Sequence, residues 1–157
     1  MQYLSEIFFS LINNFTLVVV AIAGLLAQII KLYVYWIKDK ELNFWHFFEA
    51  GGMPSSHSSS VTALTLGIGL TEGWGSPLFT ISLVFAIIVM YDATGVRRSA
   101  GKQALILNKI IDDMYPNERI QKGKLREILG HDPIEVFAGA VLAVVVTLVS
   151  YYVYIIR

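Results

Sequence analysis

Gly51-Gly52-Met53-Pro54-Ser55-Ser56-His57-Ser58-Ser59-Ser60 is the stretch around which the rest of this chain is organised. It holds two glycines, one proline, five serines and one histidine, and an apolar run begins at Val61. The pattern predicts a loop that feeds into a helix N-terminus, with Pro54 and Ser55 at the first helical and capping positions. Such an end offers unpaired backbone N–H groups, which favours a phosphate site; the alternative is a plain cap beside a polar histidine.

The composition is that of a membrane protein. Of 157 residues, 55% are hydrophobic and only 15% are charged, which is unusual for a water-soluble globule. The length favours a single domain, residues 1–157. The absence of cysteine excludes disulfide bonds and thiolate metal sites.

Apolar stretches separated by polar segments predict an all-α fold, an integral membrane helical bundle with about four transmembrane helices. The predicted spans are residues 15–37, 54–71, 78–93 and 134–156. Residues 1–13 carry apolar side chains at helical spacing and predict an N-terminal interfacial helix. The polar insert 99–130 predicts a cytoplasmic amphipathic helix, since apolar residues recur every three or four positions from Ala100 to Met114.

Basic residues are concentrated in two of the connecting segments. Lys38 and Lys40 lie between the first two predicted spans. Eight more lie between the last two: Arg97, Arg98, Lys102, Lys109, Arg119, Lys122, Lys124 and Arg126. By the positive-inside rule both segments face the cytoplasm, so the chain is expected to be a multi-pass protein of the cell membrane. The His57 loop, the end of the third span and the start of the fourth then share the cytoplasmic side.

The first predicted span carries a lysine. A lysine in a membrane helix is costly to bury, and it usually faces a cavity or a partner; the alternative is that Lys31 snorkels to the interface. A polar and small stripe on the same helical face indicates that Lys31 points into the bundle. The stripe consists of Gly24, Gln28, Lys31, Tyr35 and Lys38. At the end of the third span, Asp92 is a candidate partner for Arg97, Arg98 or Lys31, or a metal ligand.

The second histidine of interest directly precedes the last predicted span. Asp132, Pro133 and Glu135 have the spacing of a capping box, which predicts a helix start at this point. His131 and Glu135 are four residues apart, so the carboxylate could fix the tautomer of the imidazole and raise its basicity. The third histidine, His46, lies among aromatic residues and is predicted to belong to an interfacial belt.

Three segments in this order resemble the motifs of the type 2 phosphatidic acid phosphatase (PAP2) superfamily, which also includes the vanadium haloperoxidases. They are Gly-Gly-Met-Pro-Ser-Ser-His at 51–57, Tyr-Asp-Ala-Thr-Gly-Val-Arg-Arg at 91–98 and Gly-His-Asp-Pro-Ile-Glu-Val at 130–136. The whole pattern is similar to the small divergent bacterial and plastid branch, and it extends from Lys31 to about Gly139.

The chain departs from the superfamily pattern in each motif. Lys38 and Asp39 stand where the first motif has arginine and proline, and Ser56 replaces the glycine of P-S-G-H. Glu135 replaces an aspartate. Arg97 or Arg98 is the preferred counterpart of the superfamily arginine because both end a span, with Arg126 as the fallback.

The resemblance implies a phosphatase that forms a phosphohistidine. It implies that His131 attacks phosphorus while Glu135 orients it, and that His57 protonates the leaving oxygen and then activates water. It also implies a cradle of cations and N–H donors for the phosphate. The predicted cradle is Lys31, Ser55, Ser56, Arg97 and Arg98, with Asp92, Lys38 and Arg126 as further candidates; no metal and no cofactor are expected.

The predicted function is hydrolysis of a lipid or isoprenoid (di)phosphate monoester by a metal-independent membrane phosphatase. One alternative is a magnesium-dependent lipid phosphotransferase that uses Asp92, Asp112 and Asp113. Another is a non-catalytic phospholipid-binding protein. The expected partners are a lipid phosphate and the membrane, with a homodimer possible and no nucleic acid.

Overall fold

A computed structural model describes residues 2–40, 51–114 and 130–156. Within these ranges the chain is helical and contains no strand, which confirms the predicted all-α bundle. The helices are α1 (Gln2–Ile12), α2 (Phe15–Asp39), α3 (Ser56–Glu72), α4 (Pro77–Thr94), α5 (Val96–Met114) and α6 (Pro133–Ile155). Predicted residues His46 and Arg126 lie outside the described residues, as does the part of the insert at 115–129.

Capping side chains set the points where three of the long helices begin. Asn14, Ser55 and Ser76 each accept the backbone N–H three residues later, at the starts of α2, α3 and α4. Pro77 occupies the first turn of α4, where its missing N–H costs nothing. Pro54 differs from its prediction, because it precedes the Ser55 cap instead of entering the helix.

Helix α3 is the centre of the bundle and packs against α2, α4 and α6. Close approach depends on small residues and on hydroxyl groups, as is common between membrane helices. The Ser59 hydroxyl donates to the Ala23 carbonyl of α2 at 3.1 Å, and the Thr65 hydroxyl lies 3.1 Å from the Ser82 carbonyl of α4. A Cβ atom added at Gly139 of α6 would collide with the Ser55 carbonyl oxygen.

Three segments of the described chain are long and apolar enough to cross a membrane. They are Phe15–Lys38, Pro77–Met114, which contains α4 and α5, and Pro133–Ile155. Helix α3 has 17 residues and is less apolar than α2, α4 and α6. At 1.5 Å per residue it is about 26 Å long, slightly less than the hydrocarbon core of a bilayer. Its neighbours cover much of it, so it needs fewer apolar residues than a helix that faces lipid.

The two ends of the bundle differ in chemistry. One end, called here the turn end, holds the α3–α4 turn, and the Phe15 ring lies 5.0 Å from that of Tyr154. At the opposite end, called the histidine end, the Ser55 N–H donates to the Glu135 carbonyl at 3.0 Å. The His131 N–H donates to the Ala93 carbonyl at 3.1 Å, so the starts of α3 and α6 and the end of α4 are joined there.

Helix α5 begins at Val96, earlier than the repeat from Ala100 indicated, and it packs against α4. It is strongly amphipathic, in agreement with the sequence. Several of its large apolar side chains are exposed: Leu105, Ile106, Leu107, Ile110 and Met114.

Candidate active site

His131 is held by a carboxylate at the start of α6. The residue is buried, and its Nδ1 atom lies 2.9 Å from Oε2 of Glu135. The same oxygen accepts the Asp132 backbone N–H at 3.2 Å. An ionised carboxylate only accepts hydrogen bonds, so in the neutral imidazole Nδ1 carries the proton and Nε2 keeps its lone pair. This arrangement gives the imidazole a defined tautomer with a nucleophilic nitrogen.

The backbone before α6 fixes where this imidazole lies. Besides the His131–Ala93 hydrogen bond, a Cβ atom added at Gly130 would meet the Ala93 carbonyl oxygen at 2.8 Å and the Arg98 backbone even more closely. Only glycine fits between the end of α4 and the start of α5. The histidine is thereby placed beside the Arg98 turn.

His57 faces His131 from the first turn of α3. The centres of the two rings are 6.2 Å apart, and the ring planes make an angle of 65°. His57 is exposed whereas His131 is buried. The two histidines, 74 positions apart in the chain, therefore share one site, and a tetrahedral anion between them can contact both rings.

Lys31 lies in the same end of the bundle, where only 2% of it is exposed. The loop before α3, which contains Gly52, covers the lysine. Gly52 has a φ of +85°, and a Cβ atom there would lie 3.0 Å from Lys31 Cδ and 2.9 Å from Tyr35 Oη. Tyr35 was predicted on the polar face of α2 but not as a site residue. Tyr35 follows Lys31 by four residues, so the two share one helical face, and this spacing could have identified Tyr35 as a neighbour of the lysine.

Arg98 forms an ion pair with Asp132, with Nη2 and Oδ1 at 2.6 Å. The Arg98 side chain is 37% exposed and the Asp132 side chain 57% exposed, so both remain accessible to a ligand. The sequence identified Asp132 only as a helix cap, because the partner lies on a different element. Arg97 lies in the first turn of α5, and its side chain is outside the described part of the structure.

The two serines of the predicted cradle have different environments. Ser55 is fully buried, its N–H donates to Glu135, and its hydroxyl oxygen accepts from the Ser58 N–H at 3.3 Å. These bonds hold Ser55 between the starts of α3 and α6, and its predicted contact with the phosphate stays a prediction. Ser56 begins α3 and is half-buried beside His57.

The remaining candidates lie on α2, α4 and α5 or outside the described chain. Lys38 is exposed on α2, seven residues and about 10 Å beyond Lys31. Asp92 is half-buried in the last turn of α4, whereas Asp112 and Asp113 lie at the far end of α5. Within the described residues no three His, Asp or Glu side chains come together as a metal site would require.

Comparison with known proteins gives two matches. A profile for a family described as "Divergent PAP2 family" matches residues 12–146. The "Uncharacterized membrane protein YuiD" of Bacillus subtilis (strain 168) is 43% identical over 153 residues, covering 90% of this chain and 97% of that protein. No solved structure matches the chain significantly.

Proposed function

The chain belongs to the divergent PAP2 family, and on this premise we propose that it is a membrane phosphatase that hydrolyses a lipid or isoprenoid phosphate. The reaction proceeds without a metal through a phosphohistidine on His131. The observation that carries the proposal is the pair of imidazoles 6.2 Å apart, one of them bonded to a carboxylate at 2.9 Å. Few structural roles require that combination at the end of a membrane bundle.

In the first step the Nε2 lone pair of His131 attacks phosphorus, and the bond between phosphorus and the lipid oxygen breaks. His57, as an imidazolium, gives its proton to the departing oxygen, which leaves as an alcohol. The positive charge that forms on His131 is stabilised by Glu135 through the Nδ1–H bond.

In the second step His57, now neutral, takes a proton from a water molecule that attacks the phosphohistidine. The phosphorus–nitrogen bond breaks, its electron pair returns to Nε2, and inorganic phosphate leaves. His57 is again protonated and His131 again neutral, so the site is ready for another substrate.

The negative charge of the phosphoryl group is balanced by cations from two helices. Lys31 supplies a positive charge from α2, and Arg98 supplies a planar guanidinium suited to bidentate contact. The start of α3 at Ser56 and His57 adds backbone N–H groups and the positive end of the helix dipole. Fixed charges in a site partly closed to water stabilise a transition state more strongly than the same charges in solution.

The test is release of inorganic phosphate by purified protein in detergent or vesicles, with EDTA present. We expect activity to persist in EDTA, His131→Ala to abolish it, and His57→Ala to reduce kcat by about 10²–10⁴-fold. Thr80→Ala, on an exposed position at the turn end of α4, is the control and is expected to be unaffected. Acid-labile phosphate trapped on the wild type but not on His131→Ala identifies the intermediate.

Two outcomes point to the other classes of function. Loss of activity in EDTA, restored by magnesium, indicates the metal-dependent phosphotransferase. Lipid phosphate binding that survives His131→Ala, with no turnover by the wild type, indicates a binding protein.

A further inference from the structure

Helix α5 differs from the helices of the bundle, because most of its residues are exposed. Among the described helices only α4 packs against it. Six of its 19 residues are charged, and on average it is much less apolar than α4 or α6. It is strongly amphipathic all the same, which is typical of a helix that lies at a boundary between water and an apolar phase.

Three sides of α5 differ in chemistry. The exposed apolar face consists of Leu107, Ile110 and Met114. The basic face consists of Arg98, Lys102 and Lys109, with the exposed Leu105 among them. At about 100° per residue, the centres of these two faces are about 130° apart around the helix axis. The buried residues Gly101 and Asn108 mark a third side, which rests against protein.

Length places the start of α5 at the surface of the bilayer. The segment Pro77–Met114 has 38 residues, and as helix it measures about 57 Å, nearly twice the hydrocarbon core. Helix α4 alone has 18 residues and is about 27 Å long, which is close to the thickness of that core. The Arg98–Asp132 ion pair then holds the first turn of α5 at the histidine end.

The order of charges along α5 suits a membrane surface better than a free helix. Four basic residues precede position 110, whereas the two acidic residues, Asp112 and Asp113, lie in the last turn. This order opposes the helix dipole, so it lowers the stability of an isolated helix. It places positive charge beside the end of α4, where the headgroups of anionic lipids attract lysine and arginine.

The apolar face carries side chains suited to lipid rather than to another helix. The bundle itself packs through small residues, with Ala23, Ala63 and Ala143 at its core. In contrast, Leu107 and Ile110 are each 47% exposed and Met114 is 66% exposed. Bulky aliphatic groups of this kind gain most from burial among acyl chains.

We propose that α5 docks on the anionic bilayer surface at the histidine end, with its apolar face among the acyl chains and its basic face towards the headgroups and water. The third side then rests against the protein. This interaction is independent of the proposed function, because it requires neither turnover nor phosphate binding.

Spin labelling of single cysteines tests the docking of α5 in vesicles of phosphatidylcholine and phosphatidylglycerol. Oxygen concentrates in the bilayer, whereas nickel ethylenediaminediacetate stays in water. We expect the ratio of oxygen to nickel collision rates to be about fivefold higher at Leu107→Cys and Ile110→Cys than on the basic face. Lys102→Cys and Lys109→Cys report on the basic face. Val145→Cys, at a residue that is 54% exposed on α6, gives the value expected in lipid.

Two outcomes of this measurement would overturn the proposal. Equal ratios on the two faces would mean that α5 is surrounded by water. Low collision rates with both reagents on the apolar face would mean that a second copy of the chain, and not lipid, covers it. Vesicles of phosphatidylcholine alone should lower the ratio at Leu107→Cys, and an unchanged ratio would contradict the assignment to an anionic surface.

A matched pair of variants tests the apolar face itself. Ile110→Gln places an amide on this face, whereas Leu105→Gln makes a similar change at a residue that is 44% exposed among the basic side chains. With the label at Met114→Cys, we expect Ile110→Gln to lower the ratio by about twofold or more and Leu105→Gln to leave it unchanged. An unchanged ratio in Ile110→Gln, or equal losses in both variants, would overturn the proposal.

Discussion

At the scale of single residues, the proposed mechanism gives the charge of Glu135 a role that its hydrogen bonds alone do not supply. Glutamine at this position can still accept from His131 Nδ1–H and from the Asp132 N–H, so the local fold should survive. It cannot stabilise the positive imidazole that forms during attack. We expect Glu135→Gln to lower kcat by about 10²-fold with little change in the unfolding temperature.

Phosphate release and thermal unfolding, measured on the same preparations of Glu135→Gln, separate the two contributions. Asp at position 135 keeps the charge on a shorter side chain and should recover part of the rate. An unchanged kcat in Glu135→Gln would contradict the role of the carboxylate.

Gly52 combines two constraints that can be separated. Its φ of +85° strains any other residue, and a Cβ atom would press on Lys31 and Tyr35. Gly73 is a matched control, since its φ is +91° but nothing lies within 4 Å of a Cβ atom there. Both Gly→Ala variants should lose about 1–3 kcal/mol of stability through backbone strain.

Only Gly52→Ala should also weaken phosphate binding, because only it displaces the lysine. We expect about a tenfold higher inhibition constant for inorganic phosphate in Gly52→Ala, and none of this change in Gly73→Ala. Product inhibition of the purified variants measures it. Equal inhibition constants in the two variants would show that the loop does not position Lys31.

Sequence reasoning at this scale found the residues of the candidate site but not all of their contacts. His57, His131, Glu135 and Lys31 are unusual residues for their surroundings, so the sequence alone singles them out. The Arg98–Asp132 pair and the use of the Ser55 N–H by Glu135 depend on which helices meet. Neither follows from local spacing.

At the scale of helices, the approach of α6 to α3 positions the two histidines relative to each other. Gly139 allows this approach, because a Cβ atom there would strike the Ser55 carbonyl. We expect Gly139→Ala to push the helices apart and to cost about 1–3 kcal/mol. Activity should fall with it, since His57 belongs to α3 and Glu135 to α6.

Thermal unfolding in detergent, compared with Gly75→Ala, tests this packing. Gly75 lies in the exposed turn, and nothing lies within 4 Å of a Cβ atom added there. An unfolding temperature for Gly139→Ala no lower than that of Gly75→Ala would contradict the importance of the contact.

Apolar runs and caps predicted where the helices lie because both are local signals. The structure starts α2 at Phe15 and α6 at Pro133, within one residue of the predicted spans at 15 and 134. The second predicted span, 54–71, coincides with α3 to within two residues, and α3 is shorter and less apolar than its neighbours. The central position of α3 results from how the helices pack together, so the hydropathy of a single segment does not predict it.

At the scale of the whole molecule, helix directions and basic residues together predict the side of the membrane on which the site opens. Helices α2, α3, α4 and α6 alternate in direction, which places the α3–α4 turn at the end opposite the histidines. The described basic residues near the histidine end favour the cytoplasm for that end. The predicted cytoplasmic location of the site therefore depends only on which end of the bundle faces the cytoplasm.

Cysteine labelling tests the orientation of the bundle in the membrane without interference, because the chain has no cysteine of its own. Lys102→Cys reports on exposed α5 near the histidine end, and Gly75→Cys reports on the exposed turn. Asn13→Cys adds the start of α2, which shares the turn end. In intact cells, a membrane-impermeant maleimide should label Gly75→Cys and Asn13→Cys, and should label Lys102→Cys only after permeabilisation. Labelling of Lys102→Cys alone in intact cells would place the phosphate site on the outer face. Labelling of all three would mean that α4 does not cross, because Gly75 and Lys102, which flank α4, would then share one side.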